Sequence, residues 1–114
     1  MSALLSVTIQ VKDQEKLKTY ISQVPPTMAP HGAKMLSRGK IAKILNGDVA
    51  HQMEAVFEFP SEDAIDAWFN SDAYQAIVAI REEAAHMNLA VLSPWHDLPD
   101  LLHGGRDYFL LDKE

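Results

Sequence analysis

The sequence contains no cysteine in its 114 residues, and this absence removes several kinds of chemistry. Disulfide bonds, thiolate metal sites and cysteine nucleophiles are all excluded. A chain without cysteine also suits a reducing compartment, so we expect the protein to be cytoplasmic.

Long apolar runs and a basic N-terminal region are absent as well. The opening stretch, MSALLSVTIQVKD, is typical of a β-strand rather than of a signal peptide. No segment approaches the length that a membrane-spanning helix requires. We therefore expect neither a signal peptide nor a membrane partner.

The chain also lacks a concentrated positive surface, since its formal net charge is −6. Its basic residues are scattered, apart from a loose group at Lys34, Arg38, Lys40 and Lys43. Nucleic-acid binding requires a basic stripe that follows the phosphates, so we expect no nucleic-acid partner. The loose group can hold a small anion, or it can be a solvated strand edge protected by lysine.

The residues that are present fit one ordinary globular domain, because 47% of them are hydrophobic and 23% are charged. Apolar and polar residues alternate over 4–11, which predicts a strand with one buried face. Asp13 is a suitable N-cap for a helix over 14–23, which Pro25 and Pro26 are expected to end. The buried face of this helix is predicted to contain Leu17, Tyr20, Ile21 and Val24.

The middle of the chain is predicted to form a β-hairpin. Residues 33–45 are typical of a long strand, with Gly39 at a bulge or bend. The NGD stretch at 46–48 is a strong two-residue turn signal, because Asn and Gly tolerate positive φ. The returning strand covers residues 50–59.

A second helical region and a last strand complete the domain. Ser61 can cap the first helix of this region, and the NSD stretch at 70–72 interrupts it. The buried residues are predicted to be Ala64, Ile65, Trp68 and Phe69 before the interruption, and Ala73, Ile77, Ile80 and Ala84 after it. Residues 87–93 form the last strand. The order β-α-β-β-α-β predicts a ferredoxin-like α+β domain over 1–93, with two helices on one face of a four-stranded antiparallel sheet.

The sheet face that the helices leave uncovered is predicted to be mixed in polarity. Its residues include Ser6, Thr8, Gln10, Gln52, Glu54, Val56 and Glu58. This face either contacts water or meets the same face of a second subunit around a polar cavity. In the second case the protein is a homodimer, with Thr8 and Gln10 among its ligand-binding residues. The apolar extension over 94–114 is expected to pack on the domain or on the partner subunit.

Four stretches in a fixed order give the chain a resemblance to a known family. They are VPPTMAPHG at 24–32, LSRGK at 36–40, NGD at 46–48 and VFEFPSEDAIDAWFNSDAYQAIVAIREEAA at 56–85. Together they resemble the family catalogued as domain of unknown function 1330, over residues 4–93. That family belongs to the dimeric α+β barrel superfamily, so the resemblance implies a ferredoxin-like protomer whose sheet pairs with a second one around a cavity.

Relatives within that superfamily include cofactor-free monooxygenases, muconolactone isomerases and haem-dependent chlorite dismutases. The family itself has no settled activity, so the resemblance implies an architecture and leaves the chemistry open. The extension after residue 93 departs from the family's usual ending.

His31 is the first candidate for chemistry, because prolines precede it and a glycine follows it. Prolines restrict φ, so the loop can hold His31 in one orientation, and Gly32 allows a tight entry into the next strand. An imidazole held in this way can transfer a proton near neutral pH. The alternative is a loop histidine that hydrogen-bonds to the backbone.

Arg38 is the second candidate and lies in the LSRGK motif. Its guanidinium can bind a substrate carboxylate or enolate. The alternative is a surface ion pair with Glu54 or Glu58.

Trp68, Asn70 and Tyr74 surround the interruption in the second helical region, where a kink can bring the two aromatic side chains together. There they can form the wall of a pocket in which Asn70 or Tyr74 hydrogen-bonds to a ligand. Alternatively, Trp68 is a core residue, Asn70 ends a helix and Tyr74 packs over the sheet edge.

The five histidines show no metal-site spacing, and we predict neither a metal nor another cofactor. The leading hypothesis is a homodimer that binds a small organic acid or phenol and acts on it by cofactor-free acid/base chemistry, as an isomerase or monooxygenase. His31 is then the acid/base and Arg38 the anion clamp, with Tyr74 and Asn70 as orienting donors. The alternative is a non-catalytic ligand-binding or structural homodimer.

Overall fold

The computed structural model describes residues 2–92, which form a four-stranded antiparallel sheet with helices packed on one face. The strands are β1 (Ala3–Val11), β2 (Lys34–Lys40), β3 (Met53–Phe59) and β4 (Ala85–Leu92), in the spatial order β2-β3-β1-β4. The helices are α1 (Gln14–Met28), α2 (Glu62–Phe69), α3 (Asp72–Gln75) and α4 (Val78–Ala84), and a 3-10 turn covers Ala29–His31. This arrangement confirms the predicted ferredoxin-like α+β fold.

The described residues stop short of the C-terminal extension, so the predicted packing of residues 94–114 lies outside them. Within residues 2–92, no helix combines the length and the apolar character that crossing a membrane requires.

β1 lies between β3 and β4, and its alternating sequence decides which side of the sheet becomes the core. Its buried residues are Ala3, Leu5, Val7 and Ile9. Val7 lies opposite Ala55 of β3 and Leu89 of β4, so these three side chains share the helix-covered face. The alternation predicted for this strand is confirmed.

α1 begins where predicted and ends later than predicted. The Asp13 carboxylate accepts a hydrogen bond from the Lys16 N–H at 3.1 Å, which confirms the N-cap. The expectation that Pro25 and Pro26 end the helix is wrong, because the helix continues through both of them to Met28. The two prolines are exposed, so the carbonyl groups that lose their N–H partners can bind water instead.

The apolar stripe of α1 explains why the helix continues. Its buried residues are Leu17, Tyr20, Val24, Thr27 and Met28, at helical spacing on both sides of the prolines. Burial of the last three against the rest of the core offsets the missing hydrogen bonds. Ile21, predicted to belong to this stripe, is instead 43% exposed, because the stripe passes through positions 20 and 24.

β2 is shorter than predicted and has its irregularity at a different place. It covers Lys34–Lys40 rather than 33–45, and its register with β3 shifts between Met35 and Ser37 rather than at Gly39. Gly39 pairs regularly with Glu54, so the predicted bulge at this glycine is wrong.

Residues 41–52 connect β2 to β3 and do not form the predicted two-residue hairpin between paired strands. The last strand pair is Lys40 with Met53, although the Ile41 N–H still donates to the Gln52 carbonyl at 2.7 Å. Gly47 has a φ of 85°, as the NGD signal predicts, but the ladder ends before reaching it. β3 therefore begins at Met53, later than the predicted residue 50.

Serine side chains cap the helices on either side of the predicted interruption. The Ser61 hydroxyl accepts from the Ala64 N–H at 3.1 Å, and the Ser71 hydroxyl accepts from the Tyr74 N–H at 3.2 Å. The bend between α2 and α3 brings the rings of Trp68 and Tyr74 to a centroid distance of 4.3 Å. The predicted convergence of these two aromatic side chains is confirmed.

The helix that begins at Asp72 changes which residues are buried after the bend. Tyr74 is buried and Ala73 is exposed, which reverses the prediction for Ala73. A further break before Val78 divides this region into α3 and α4, and β4 then begins directly at Ala85, two residues earlier than predicted.

Candidate ligand-binding cavity

A cavity of about 750 Å³ lies between α1 and the helix-covered face of the sheet. This volume is within the range of small-molecule sites. The sheet side consists of side chains in register: Met35 with Phe57, Val7 with Ala55 and Leu89, and Ile9 with Met53 and Met87. The helix side consists of Tyr20, Ile21, Val24, Pro25 and Met28, together with Ala29, Ala33 and Trp68. The remaining lining residues are Arg38, Gly39, Lys40 and Glu54.

Methionine is concentrated in this lining. Met28, Met35, Met53 and Met87 are all of the methionines within residues 2–92, and each of them lines the cavity. Methionine side chains are flexible and polarisable, so they adapt to apolar surfaces of different shapes. The cavity is therefore suited to an apolar ligand body without a narrowly defined outline.

Arg38 and Lys40 are the basic residues of the lining, and the bulge in β2 determines which way Arg38 points. Arg38 pairs with Ala55 on the helix-covered face, and Met35 lies on the same face opposite Phe57. In a regular strand, residues three apart point to opposite faces. The extra residue between Met35 and Ser37 is what places Met35 and Arg38 on the same side.

No carboxylate within residues 2–92 forms an ion pair with Arg38 or Lys40. Glu54 and Glu58, the alternative partners predicted for Arg38, alternate with Ala55 along β3 and so belong to the opposite face. Glu54 contributes to the cavity lining, but its carboxylate is 2.7 Å from Nε2 of His51.

The charges around the rim favour an anion. Two basic residues, Arg38 and Lys40, line the cavity against one acidic residue, Glu54, and the acidic one already has a partner in His51. Basic residues therefore outnumber acidic ones in this lining, although the whole chain carries a formal net charge of −6. β2 is an exposed edge strand, so an anion can reach these two side chains from solvent.

A chain of polar groups extends from the cavity wall into the core. The hydroxyl oxygens of Tyr20 and Tyr74 are 2.7 Å apart, and Nη1 of Arg81 donates to the Tyr74 hydroxyl at 3.1 Å. Tyr20 lines the cavity, whereas Tyr74 has no exposed surface. Burial raises the pKa of the Tyr20 hydroxyl far above its usual value. Tyr20 therefore keeps its proton and can act as a hydrogen-bond donor.

Trp68 joins the cavity wall to the core and is 1% exposed. Its indole N–H donates to the Thr27 hydroxyl at 3.0 Å, and that hydroxyl donates to the Val24 carbonyl at 2.7 Å. Because the indole N–H is occupied within the α1–α2 contact, Trp68 offers a ligand apolar surface. The alternative that placed Trp68 in the core agrees with this burial.

Two of the residues predicted for the site, Arg38 and Trp68, line the cavity, and the others do not. His31 is half-buried at the end of the 3-10 turn. Ala29 and Ala33, on either side of it in the chain, line the cavity, but His31 is not part of the lining.

Asn70 and Tyr74 have structural partners. Asn70 is exposed, and its side-chain amide donates to the Asp66 carbonyl at 2.9 Å, which ends α2 as the alternative interpretation predicts. Tyr74 lies behind Tyr20 rather than in the cavity wall. Neither side chain is placed to contact a ligand in this cavity.

Thr8 and Gln10 lie on the uncovered face of the sheet, because they alternate with Val7 and Ile9 along β1. The Thr8 hydroxyl accepts a hydrogen bond from the Asn88 amide at 3.2 Å. The predicted hollow between two such faces involves two protomers and stays a prediction. The cavity within one protomer is on the other side of the sheet.

Two further lining residues are not predicted as site residues in their own right: Tyr20, and Lys40, which is predicted only as part of the loose basic group. Tyr20 is predicted only as a core residue, although a tyrosine on an apolar helix face needs a partner for its hydroxyl. Lys40 follows Arg38 at a spacing of two, which on a strand means the same face. Within residues 2–92, no three histidine or acidic side chains cluster as metal ligands, and the prediction of no metal stays a prediction.

The sheet order, the helices on one face and the cavity beneath α1 define a small ferredoxin-like α+β protein with a ligand-sized cavity inside the protomer. The chain belongs to the family described as Domain of unknown function (DUF1330), which matches residues 2–94. The resemblance found in the sequence is thereby confirmed. No curated protein matches the chain.

Solved structures share this fold at low sequence identity. A protein of unknown function from Rhodopseudomonas palustris has a TM-score of 0.73 and 19% identity, over 82% of this chain and 82% of that chain. A dimeric ferredoxin-like protein of unknown function from Jannaschia sp. CCS1 has a TM-score of 0.64 and 11% identity, over 82% and 100%. SnoaB, a cofactor-independent oxygenase from Streptomyces nogalater, has a TM-score of 0.62 and 7% identity, over 87% and 98%. At these identities the likeness shows the fold alone.

Proposed function

We propose that this protein binds a small organic anion with an apolar body, of the carboxylic acid or phenolate class, in the cavity beneath α1. The observation that supports the proposal is an apolar cavity of about 750 Å³ with Arg38 and Lys40 at its rim. The apolar body fills the methionine-rich interior, and the Arg38 guanidinium binds the anionic group.

The same proposal includes a homodimer. The similar protein from Jannaschia is described as dimeric. In this chain, Ser6, Thr8 and Gln10 of the uncovered face are half-buried within one protomer, and a second copy would cover them further. Sedimentation equilibrium at micromolar concentration tests this part, and a sedimenting mass of one protomer would contradict it.

Binding is favoured over catalysis, because only one of the three residues predicted to be catalytic, Arg38, lines the cavity. Cofactor-free catalysis is the second candidate, and two observations support it. SnoaB, which shares the fold, is described as a cofactor-independent oxygenase. Tyr20 lines the cavity, and a tyrosine hydroxyl is a donor of the kind that stabilises a developing enolate oxygen.

A fluorescence titration with naphthalene-2-carboxylate tests the binding proposal. The uncharged control ligand is naphthalene-2-methanol, which keeps the aromatic body and removes the anion. We expect the carboxylate to bind more tightly than the alcohol. Arg38→Gln should weaken carboxylate binding by about tenfold, since a charge-assisted hydrogen bond contributes about 1.5–3 kcal/mol and this site is partly exposed.

Lys34→Gln is the matched control, because it removes the same charge from the same strand. Lys34 pairs with Glu58, on the face of the sheet away from the cavity. Its substitution should change carboxylate affinity by less than about twofold, since a distant exposed charge is screened by salt. Equal losses in the Lys34 and Arg38 variants would contradict a site at Arg38.

A further inference from the structure

The hydrogen-bond directions around Tyr74 follow from the number of donors that each group has. Arg81 has donors and no acceptor, so its Nη1 donates and the Tyr74 oxygen accepts. Each tyrosine hydroxyl has one proton to donate. The 2.7 Å contact between Tyr20 and Tyr74 is therefore made with the proton of one or of the other.

Within residues 2–92, the Tyr74 hydroxyl contacts only Tyr20 and Arg81. If Tyr20 donates to Tyr74, neither contact accepts the Tyr74 proton. Tyr74 has no exposed surface, and an unpaired buried donor is strongly unfavourable. If Tyr74 donates to Tyr20, both the oxygen and the proton of Tyr74 have a partner. The proton left over then belongs to Tyr20, which lines the cavity.

We propose that the Tyr20 hydroxyl is a directed hydrogen-bond donor in the wall of the cavity, so that the ligand carries an oxygen acceptor for Tyr20 in addition to the anion bound by Arg38. This inference rests on the proposed binding function and narrows its ligand class. The ligand is an organic anion with a second oxygen function, such as a keto acid or an acyl-substituted aromatic acid.

In this arrangement the contacts of Arg81 and Tyr74 determine which tyrosine keeps a free proton. The Arg81 guanidinium occupies the Tyr74 oxygen, and Nη2 of Arg81 is held 2.7 Å from the Glu82 carboxylate. If Tyr74 then donates its proton to the Tyr20 oxygen, both the oxygen and the proton of Tyr74 have a partner. A carbonyl oxygen fits the Tyr20 proton, whereas a hydrocarbon group of the same shape leaves that proton unpaired.

Two naphthoates of nearly the same shape test the inference, 6-acetyl-2-naphthoate and 6-isopropyl-2-naphthoate. Both keep the carboxylate for Arg38, and the first alone has a carbonyl oxygen. We expect wild-type protein to prefer the acetyl compound by about three- to tenfold, the contribution of one neutral hydrogen bond. Tyr20→Phe should remove the preference, because it takes away both the donor for the ketone and the proton that the isopropyl group leaves unpaired.

Infrared spectroscopy of the bound acetyl compound gives a readout that a structural role would not change. The ketone stretch should move to lower wavenumber in wild-type protein and return toward the value of a non-bonded ketone in Tyr20→Phe. Tyr74→Phe should retain both the shift and the preference, because Tyr20 keeps its proton. If Tyr20→Phe fails to fold, the inference is still tested by two measurements. These are the preference of wild-type protein for the acetyl compound, and the ketone stretch in wild-type protein and in Tyr74→Phe.

The outcomes separate this inference from the proposed function. If both naphthoates bind with equal affinity and both depend on Arg38, the binding function holds and the role of Tyr20 is overturned. An unshifted ketone stretch in wild-type protein overturns it as well. If neither compound binds, or if binding does not depend on Arg38, the proposed function and the inference fail together.

Discussion

Removing the Tyr20 hydroxyl should destabilise the fold more than removing the Tyr74 hydroxyl, although the two groups share one hydrogen bond. In Tyr20→Phe, the Tyr74 proton loses its acceptor in a place with no exposed surface. An unsatisfied buried donor of this kind destabilises a protein by about 1–3 kcal/mol. We therefore expect the free energy of unfolding to fall by about 2 kcal/mol in Tyr20→Phe.

Tyr74→Phe leaves no buried donor without a partner. Arg81 loses one acceptor but is only partly buried and remains bonded to Glu82, so water can replace the missing contact. The expected loss is less than about 1 kcal/mol. The double variant should resemble Tyr74→Phe to within about 0.5 kcal/mol, because the proton orphaned by Tyr20→Phe is no longer present.

Urea denaturation followed by far-ultraviolet circular dichroism measures these differences, at one fixed protein concentration because association stabilises the folded state. Circular dichroism is preferred to tryptophan fluorescence, since the Trp68 ring is 4.3 Å from Tyr74 and its emission would change with the substitutions. Losses that simply add in the double variant would refute the assigned hydrogen-bond directions. So would a Tyr20→Phe variant as stable as wild type.

Three further predictions concern two backbone positions and the loss of stability at alkaline pH. Gly32→Ala should lower the free energy of unfolding by about 2 kcal/mol, because φ is 79° and a Cβ would meet Pro60 Cγ at 2.8 Å. The control Gly39→Ala should change the free energy of unfolding by less than about 0.5 kcal/mol, since nothing lies within 4 Å of the added Cβ. Pro26→Ala should raise the urea midpoint and increase the free energy of unfolding by about 1 kcal/mol, because an exposed helical position regains an N–H donor. The higher conformational entropy of the unfolded chain without this proline offsets only part of the gain. The free energy of unfolding should fall as the pH rises above about 10, the pKa of tyrosine in an unfolded chain, because the raised pKa of Tyr20 keeps its hydroxyl protonated in the folded state alone. Tyr20→Phe should make this fall less steep, and an unchanged slope in that variant would contradict the prediction.

The parts of the fold that follow from local pattern are predictable from the sequence. The alternation of β1 is local information, and it correctly assigns Val7 and Ile9 to the core. Asp13 and Ser61 are recognisable as caps because a cap needs one side chain and the N–H groups three residues later. Nothing distant in the chain changes these assignments.

The end of α1 is not predictable in the same way. Pro25 and Pro26 favour termination locally, but Val24 and Met28 are buried in the core, and that packing depends on residues far along the chain. Tertiary burial therefore overrides the local signal.

The site depends even more on non-local geometry. The side on which Arg38 points depends on a bulge between Met35 and Ser37, and no glycine or proline marks that position. The Tyr20–Tyr74 contact joins residues 54 positions apart. Sequence can thus identify Arg38 as a candidate anion clamp, but it cannot show that His31 is left out of the cavity that Arg38 lines.

A crystal structure of the protein with 6-acetyl-2-naphthoate tests the central claim most directly. The account predicts the naphthalene ring between α1 and the sheet, with the carboxylate at the Arg38 guanidinium and the ketone oxygen within hydrogen-bond distance of the Tyr20 hydroxyl. A ligand bound instead against Thr8 and Gln10 on the uncovered face, with the cavity beneath α1 empty, would contradict it.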